Sequence, residues 1–428
     1  MRIVMVTNNF LPHVGGVARS VATFADYYHR CGHSILVVAP RTEPGPGPLP
    51  YEVLDVPAVS MKQGRDLAAP LPVPGYVASA VKRFSPDIIH AHHPFLLGDT
   101  ALRLAATHGV PLVFTHHTLY EHYTHYAPND RPSFKLFIMD LATGYANLCT
   151  RVFGPSASTA TLLRRRGVVT PISIVPSGIS VERFSGGDRS GFRKSLDIPP
   201  DSFVLGTVGR LAHEKNLAPL AEAMAACIAS VSSARAIIVG DGPAAADMQR
   251  MFSQYGLTER VRFTGTLTGS ALADAYAAMD AFVFTSQSET QGLVLAEAMA
   301  AGVPVAAFDA PGVRDIVRHG ENGWLVGLPS AASLAFVLRD AVSLPLPARQ
   351  RLQEGARRTA AAYTVRECGE RALAAYAALL IAGRRKHPSS MTIRESAWEG
   401  TRRRMTAEWE LWQMRLRATK SLLASSDA

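Results

Sequence analysis

Twice along the chain, a short and nearly unbroken apolar run leads into a loop bearing glycine and then into a helical stretch. RIVMVT, NNFLPHVGGV, ARSVATFADYYHRCG and HSILVVAP open the first series; FVLGTVGRL, HEKNLAPLAEAMAACIAS, ARAIIVGDGP and VRFTGTL open the second. Strands that alternate with helices in this way build a parallel, doubly wound sheet that binds ligands at the carboxyl ends of its strands. A chain of 428 residues also exceeds what one hydrophobic core usually organises. The expected fold is therefore α/β, with two facing Rossmann-like parallel-sheet domains and a deep cleft between them. The low-complexity SGGDRSG marks the junction. Residues 1–185 read as the first domain, 186–365 as the second, 366–383 as a terminal helix crossing back to the first, and 384–428 as a basic helical tail. The proline-rich EPGPGPLPYEVLDVP and AAPLPVPGY read as surface loops.

The second series contains the most informative stretch, TSQSETQGLVLAEAMAAGVPVAA, from Thr285 to Ala307. AFVFTS ends a strand, Gly292 opens a helical pattern, and Gly302-Val303-Pro304 stops it. A strand, a tight turn and a helix N-terminus form an anion site, because unpaired N–H groups and the helix dipole aim at one spot. Glu289 stands just outside that N-terminus and Glu297 two turns inside. Taken alone, the first reads as a capping or solvated group and the second as an exposed helix glutamate.

Arg210 and Lys215 emerge from the loop after FVLGTVG. As a pair they read either as solvated cations or as a clamp on a diphosphate, in which a planar fork and a point charge stabilise negative charge growing on a leaving group. Gly15-Gly16 lies where backbone would approach a ligand at the end of the first strand, though a flexible turn reads equally well. No strict dinucleotide or P-loop glycine pattern occurs.

Eight of the fourteen histidines fall between His90 and His125. His90, His92, His93, His116, His117, His122 and His125 would reach the mouth of the first sheet or a nearby loop. Carboxylates or thiolates at metal-site spacing do not accompany them. One or two lining an active cleft, with the others hydrogen-bonded at the surface, is the better reading, since imidazole can hold a hydroxyl or move a proton near neutral pH.

The net charge of +9 is concentrated at one end: from Arg384 onward, ten Lys/Arg stand against five Asp/Glu. RNP-type aromatic runs and zinc-finger spacings are missing, so no nucleic-acid partner is expected. Met405, Trp409, Trp412, Leu416 and Leu423 form one helical stripe in this arginine-rich tail, which suits an anionic membrane surface. Docking of the stripe on the protein itself or on a second subunit is the alternative. The four cysteines are scattered and the first strand starts at residue 2, so the expected setting is cytoplasmic, with peripheral placement on the inner face of the cell membrane.

In order and spacing, GRLAHEKN, VGDGP, VRFTG, SETQGLVLAEAMAAGVPV and ENGWLV, with NFLPHVGGV and THHT before them, resemble the family 4 glycosyltransferases of GT-B fold. The resemblance covers roughly residues 1 to 383. It implies a retaining hexosyltransferase that uses a nucleotide-sugar and requires no metal or other cofactor. Arg210 and Lys215 would neutralise the departing diphosphate. Glu289 would hold hydroxyls of the donor sugar, and Glu297 the ribose. Backbone N–H groups of Gln291, Gly292 and Leu293 would bind phosphate oxygens, Gly15 and Gly16 would let the N-terminal loop close over the diphosphate, and Gly240 would belong to the nucleotide-sugar site. Phe263, Thr264 and Gly265 would flank the base, and His117 would lie near the sugar's outer hydroxyls. SETQG with THHTLYEHYTHY resembles the 1,2-diacylglycerol 3-glucosyltransferase branch, which implies UDP-glucose as donor and a lipid or saccharide acceptor. A GDP-mannose-dependent mannosyltransferase is the alternative. A nucleotide-sugar epimerase is a second one, and a non-catalytic nucleotide-binding module a third.

Overall fold

The computed structural model describes residues 1–12, 15–40, 47–60, 68–70, 74–122, 131–386 and 393–424. His125, most of SMKQGRDL and the side chain of Leu423 lie outside the described residues. The chain divides into two units, residues 1–178 with 365–428, and residues 179–364.

The first unit is built on a seven-stranded parallel sheet. Its strands are β1 (Arg2–Val6), β2 (Ser34–Pro40), β3 (Glu52–Val56), β4 (Ile88–Ala91), β5 (Leu112–Thr115), β6 (Arg151–Gly154) and β7 (Ile172–Ile174), in the order β3-β2-β1-β4-β5-β6-β7. β1, β2, β4, β5 and β6 are almost wholly buried, which is why they read as unbroken apolar runs. β3 corrects the expectation of a loop across EPGPGPLPYEVLDVP. As the edge strand it buries only Leu54 and Val56, too weak a pattern to stand out beside the prolines. Helices α1 (Gly16–Arg30), α2 (Leu97–His108) and α3 (Pro132–Leu148) belong to this unit.

The second unit repeats the plan with β8 (Phe203–Val208), β9 (Ala234–Val239), β10 (Val261–Gly265), β11 (Ala281–Phe284), β12 (Val305–Phe308) and β13 (Gly323–Val326). The order is β10-β9-β8-β11-β12-β13, all parallel. Alternate residues of each strand feed the two cores: Val204, Ile237 and Phe282 enter one, and Phe203, Ile238 and Val283 the other. α4 (Leu217–Ser230) covers one face, and α5 (Leu293–Ala300) belongs to the core on the other. Buried Arg193 ties the unit's first residues to its sheet, donating to Asp280 Oδ2 at 2.7 Å and to the carbonyl oxygens of Ala278 and Ser202.

The unit starts at Ile179 rather than at residue 186, because Ile179 and Phe184 pack into its core and Ile179 N–H donates to the Tyr363 carbonyl. At its other end the division falls after Thr364. α6 (Val365–Lys386) then groups with the first unit, burying Cys368, Ala372, Tyr376 and Leu379 beside Phe24, Ala25 and Tyr28 of α1. α7 (Ile393–Ala424) follows in the same unit and packs on α2 and α3. It does so with Ala407, Leu411, Met414 and Ala418, the face opposite the expected stripe. That corrects the alternative in which Met405, Trp409, Trp412 and Leu416 dock on the protein's own surface. Arg103 holds Glu408 at 2.6 Å, and Arg415 pairs with Asp99. Among the described residues no single helix is long and apolar enough to cross a membrane.

Candidate nucleotide-sugar site

In a doubly wound sheet the strand order reverses at one point, and the loops leaving the two strands there diverge to leave a crevice. In the second unit that point lies between β8 and β11, and the two loops carry Arg210, Lys215 and Glu289. They are tied together. Thr285 Oγ1 donates to the Asn216 carbonyl at 2.8 Å, Asn216 Nδ2 to the Thr285 carbonyl at 3.3 Å, and Ser288 Oγ to the Glu214 carbonyl at 3.2 Å. Asn216 adopts the left-handed conformation (φ 54°) just before α4, a position that Asn tolerates.

Within this frame Lys215 Nζ lies 2.6 Å from Glu289 Oε1, and Ser286 Oγ donates to the same oxygen at 3.1 Å. Both partners of the ion pair are partly buried, so water screens it less than a surface pair. Glu289 is thus the expected group beside the helix end, but its carboxylate is committed to a cation rather than to capping or solvent. Arg210 is exposed, at the mouth of the same loop.

Gly292 opens α5 in the left-handed conformation (φ 77°), after a buried Gln291. Gly312 supports this turn from outside. A Cβ there would stand 2.7 Å from the Glu289 carbonyl oxygen and 2.9 Å from the Gln291 nitrogen, so only glycine lets the two segments meet. Gly240 acts similarly at the end of β9, where a Cβ would overlap the Gly209 carbonyl oxygen at 1.8 Å. Its N–H donates to the Gly265 carbonyl at 2.8 Å, joining the ends of β9 and β10. Gly240 and Gly265 therefore shape the rim beside Arg210.

Two of the expected site residues are more enclosed than their positions suggested. The Phe263 ring packs edge-to-face on Phe252, 6.2 Å away, against the core, and Thr264 and Gly265 follow it at the end of β10. Glu297 is not an exposed helix glutamate: it is fully buried, and Tyr276 Oη donates to its Oε2 at 2.8 Å. A row of small residues around it, Ala296, Ala298 and Ala300, lets the helix sink into the core.

Gly15, Gly16 and His117 belong to the first unit, whose order reverses between β1 and β4. The loops there are also joined: Asn8 N–H donates to His93 Nδ1 at 3.1 Å, and Asn8 Oδ1 accepts from Leu97 N–H at the start of α2. Because a backbone N–H can only donate, neutral His93 carries its proton on Nε2. Gly16 begins α1 with nothing within 4 Å of where a Cβ would stand. That leaves open space, as close approach of a ligand requires.

The histidines are more enclosed than their number suggested. His90 lies between Thr115 Oγ1 at 2.7 Å and Tyr376 Oη at 2.6 Å, and burial lowers its pKa to about 3. Burial likewise lowers His116 to about 4 and His92 well below 6.5, the neighbouring imidazoles adding to the effect at His92. These three are neutral at physiological pH and do not shuttle protons there. His117 is lowered too, first by burial and then by neighbouring histidines. Its Nε2 lies 2.9 Å from His92 Nδ1, while His92 Nε2 is buried without a partner. A buried N–H without an acceptor is rarer than a bare lone pair. The proton therefore belongs on His92 Nδ1, donated to His117 Nε2, and His117 carries its own on Nδ1. Among the described residues no three His, Cys, Asp or Glu converge as a metal site.

Sequence reasoning passed over Ser286, Asn216, Gly312 and Tyr276, and named His92 only as one of the histidines near the mouth of the first sheet. Gly312 and Asn216 had a usable signal, as a Pro-Gly turn and an Asn before a helix. Tyr276 had none beyond residue type.

Residues 188–359 match the family described as "Glycosyl transferases group 1", and residues 14–183 match "Glycosyltransferase Family 4". A GDP-mannose-dependent alpha-mannosyltransferase of Corynebacterium glutamicum is 33% identical over 347 residues, 78% of this chain and 80% of that protein. An alpha-monoglucosyldiacylglycerol synthase of Streptococcus pneumoniae is 27% identical over 325 residues, 74% of this chain and 73% of that protein. The solved structure of Anabaena Alr3699/HepE in complex with UDP shares the fold, with a TM-score of 0.69 at 22% identity over 88% of this chain and 100% of that one.

Proposed function

Because the chain belongs to glycosyltransferase family 4, an enzyme family of GT-B fold, we propose that it moves a hexose from a nucleoside-diphosphate sugar to a lipid hydroxyl with retention of configuration. The observation that carries this reading is the Lys215–Glu289 pair, 2.6 Å apart at the reversal point of the second sheet.

Negative charge grows on the diphosphate as the sugar leaves. A cation positioned there stabilises the transition state more than the ground state. Lys215 takes that role, with Arg210 at the mouth of the same loop. The diphosphate draws the ammonium away from Glu289, freeing carboxylate oxygen to accept from sugar hydroxyls. The N–H groups of Gln291, Gly292 and Leu293 hold phosphate oxygens at the start of α5. Thr264 and Gly265 flank the base, and Gly240 shapes the rim. Glu297 is assigned to the ribose, reached once donor binding uncovers the carboxylate that Tyr276 holds in the core. In the first unit, Gly15 and Gly16 leave room for backbone to approach the diphosphate. His117 is assigned to the outer hydroxyls of the sugar. The cationic side chains provide the electrostatic work without assistance from a cofactor. Glu289 is given over to accepting from sugar hydroxyls rather than to nucleophilic attack, which favours departure and attack on one face.

For the donor we put GDP-mannose first, because the mannosyltransferase is the more similar of the two relatives. UDP-glucose is the second reading, favoured by SETQG and by the diacylglycerol-glucoside synthase. Both relatives have alpha-linked products in their names, and the second bears a lipid acceptor in its name. Nucleotide release from each donor, with and without diacylglycerol vesicles, tests the proposal. Vesicle-dependent release from one donor is expected; release from neither would overturn it.

A further inference from the structure

α7 has two unlike faces. Ala407, Leu411, Met414 and Ala418 are buried on the first unit, and Gly144 of α3 admits Met414 so closely that a Cβ there would lie 2.4 Å from its Cγ. On the other side Met405, Trp409, Trp412 and Leu416 are 66%, 57%, 54% and 41% exposed. At about 100° per residue the centres of the two rows lie about 160° apart around the helix. Trp409 and Trp412 stack on one another, with ring centroids 5.5 Å apart. The helix therefore docks through two alanines, a leucine and a methionine and turns Trp409 and Trp412 to water, the reverse of a surface helix that only covers a core.

The charges beside the outer row are mainly positive. Arg402, Arg404 and Arg417 are exposed, with Glu410 the exposed acid among them. Glu408 is held by Arg103, and Glu399 faces Arg403 at 3.7 Å.

We propose that the outer face of α7 is a seat for an anionic lipid surface. Met405, Trp409, Trp412 and Leu416 enter the boundary between headgroups and acyl chains, and Arg402, Arg404 and Arg417 face the lipid phosphates. Charge selects this occupant over a second copy of the chain. A symmetric contact through the same row sets arginines against arginines, whereas anionic headgroups complement them. From Met405 to Leu416 the row is about 17 Å long, enough to lie in the interface and too short to cross it. The inference is independent of the donor and acceptor assigned above, since lipid binding is a property of the protein without substrate.

The test is co-sedimentation of the full chain, without sugar nucleotide, with vesicles of phosphatidylglycerol and of phosphatidylcholine. Wild type is expected to pellet with phosphatidylglycerol, more weakly with phosphatidylcholine, and to show blue-shifted tryptophan emission. The double variant Trp409→Ser/Trp412→Ser should lose about tenfold or more in partitioning. Arg402→Gln/Arg404→Gln should lose about fivefold per arginine at low salt, and that loss should shrink as salt rises. Both variants should keep wild-type nucleotide release on detergent-dispersed acceptor, which separates lost docking from lost catalysis. Equal vesicle binding by wild type and both variants would overturn the proposal. So would a wild type that ignores phosphatidylglycerol and instead forms dimers abolished by the tryptophan changes, since that result assigns the face to a second copy.

Discussion

Tyr276 Oη donates to Glu297 Oε2 at 2.8 Å, and neither residue exposes any surface. The bond ties the helix Gly269–Ala277 to α5, the helix whose start is assigned to phosphate. Tyr276→Phe keeps the ring and removes one partner of a buried carboxylate, at a cost of about 1–3 kcal/mol. If the pair also presents Glu297 to a ribose, donor KM should rise while kcat changes little. Thermal melts and steady-state kinetics would check both, and an unchanged KM would leave the pair a purely structural role.

Lys215→Ala should lower kcat by about 10²-fold or more, because its charge is assigned to the departing diphosphate. Glu289→Gln keeps the shape but releases Lys215 from its partner, and should weaken donor binding as well as turnover. Single-turnover rates would isolate the chemical step. A Lys215→Ala enzyme with wild-type rates would remove the lysine from the mechanism.

Gly312 and Gly16 make opposite predictions. Gly312→Ala meets both a positive φ of 78° and backbone atoms of Glu289 and Gln291 within 3 Å, so stability should fall by about 1–2 kcal/mol or more and donor KM should rise. Gly16→Ala finds open space. Its melting temperature should stay near wild type, and any lost activity then reports on ligand approach. A Gly312→Ala protein with unaltered stability and KM would contradict the assigned support.

The buried histidines predict acid sensitivity. His90 and His116 titrate near 3 and 4 in the folded protein, against 6.5 ordinarily. Lowered folded values mean that the unfolded chain binds protons first. Their contribution to stability is complete above about pH 6.5, is lost progressively below it, and levels off near pH 3–4. Within that window each costs about 1.4 kcal/mol per pH unit. Melting of the first unit should therefore fall from pH 7 to pH 5, and His116→Gln should flatten the slope. A flat profile would contradict the burial of these rings.

The paired sheets were legible because their strands are buried on both faces: Val4, Val37, Ile89, Leu205 and Ile237 leave no polar interruption to confuse the pattern. β3 was not, since an edge strand between prolines has half the signal. That Arg210, Lys215 and Glu289 serve one site was implied by the family resemblance, and the strand order puts their loops at one reversal point. What sequence could not express was depth. Glu297 and an exposed helix glutamate have the same local neighbourhood, and only the small residues of α5 allow the helix to sink. The docking face of α7 was hidden for a related reason, because alanines at 407 and 418 are equally at home in water. Trp409 and Trp412 attracted notice instead, and they are left outside.

The second unit is one uninterrupted stretch, whereas the first is made in two instalments. His90 receives the Tyr376 hydroxyl 286 positions later, and Asp99 waits still longer for Arg415. On a ribosome, the half made first is thus the last to be finished. The β1–β7 sheet leaves the exit tunnel with the places of α6 and α7 vacant, and the whole second unit is synthesised before they are filled.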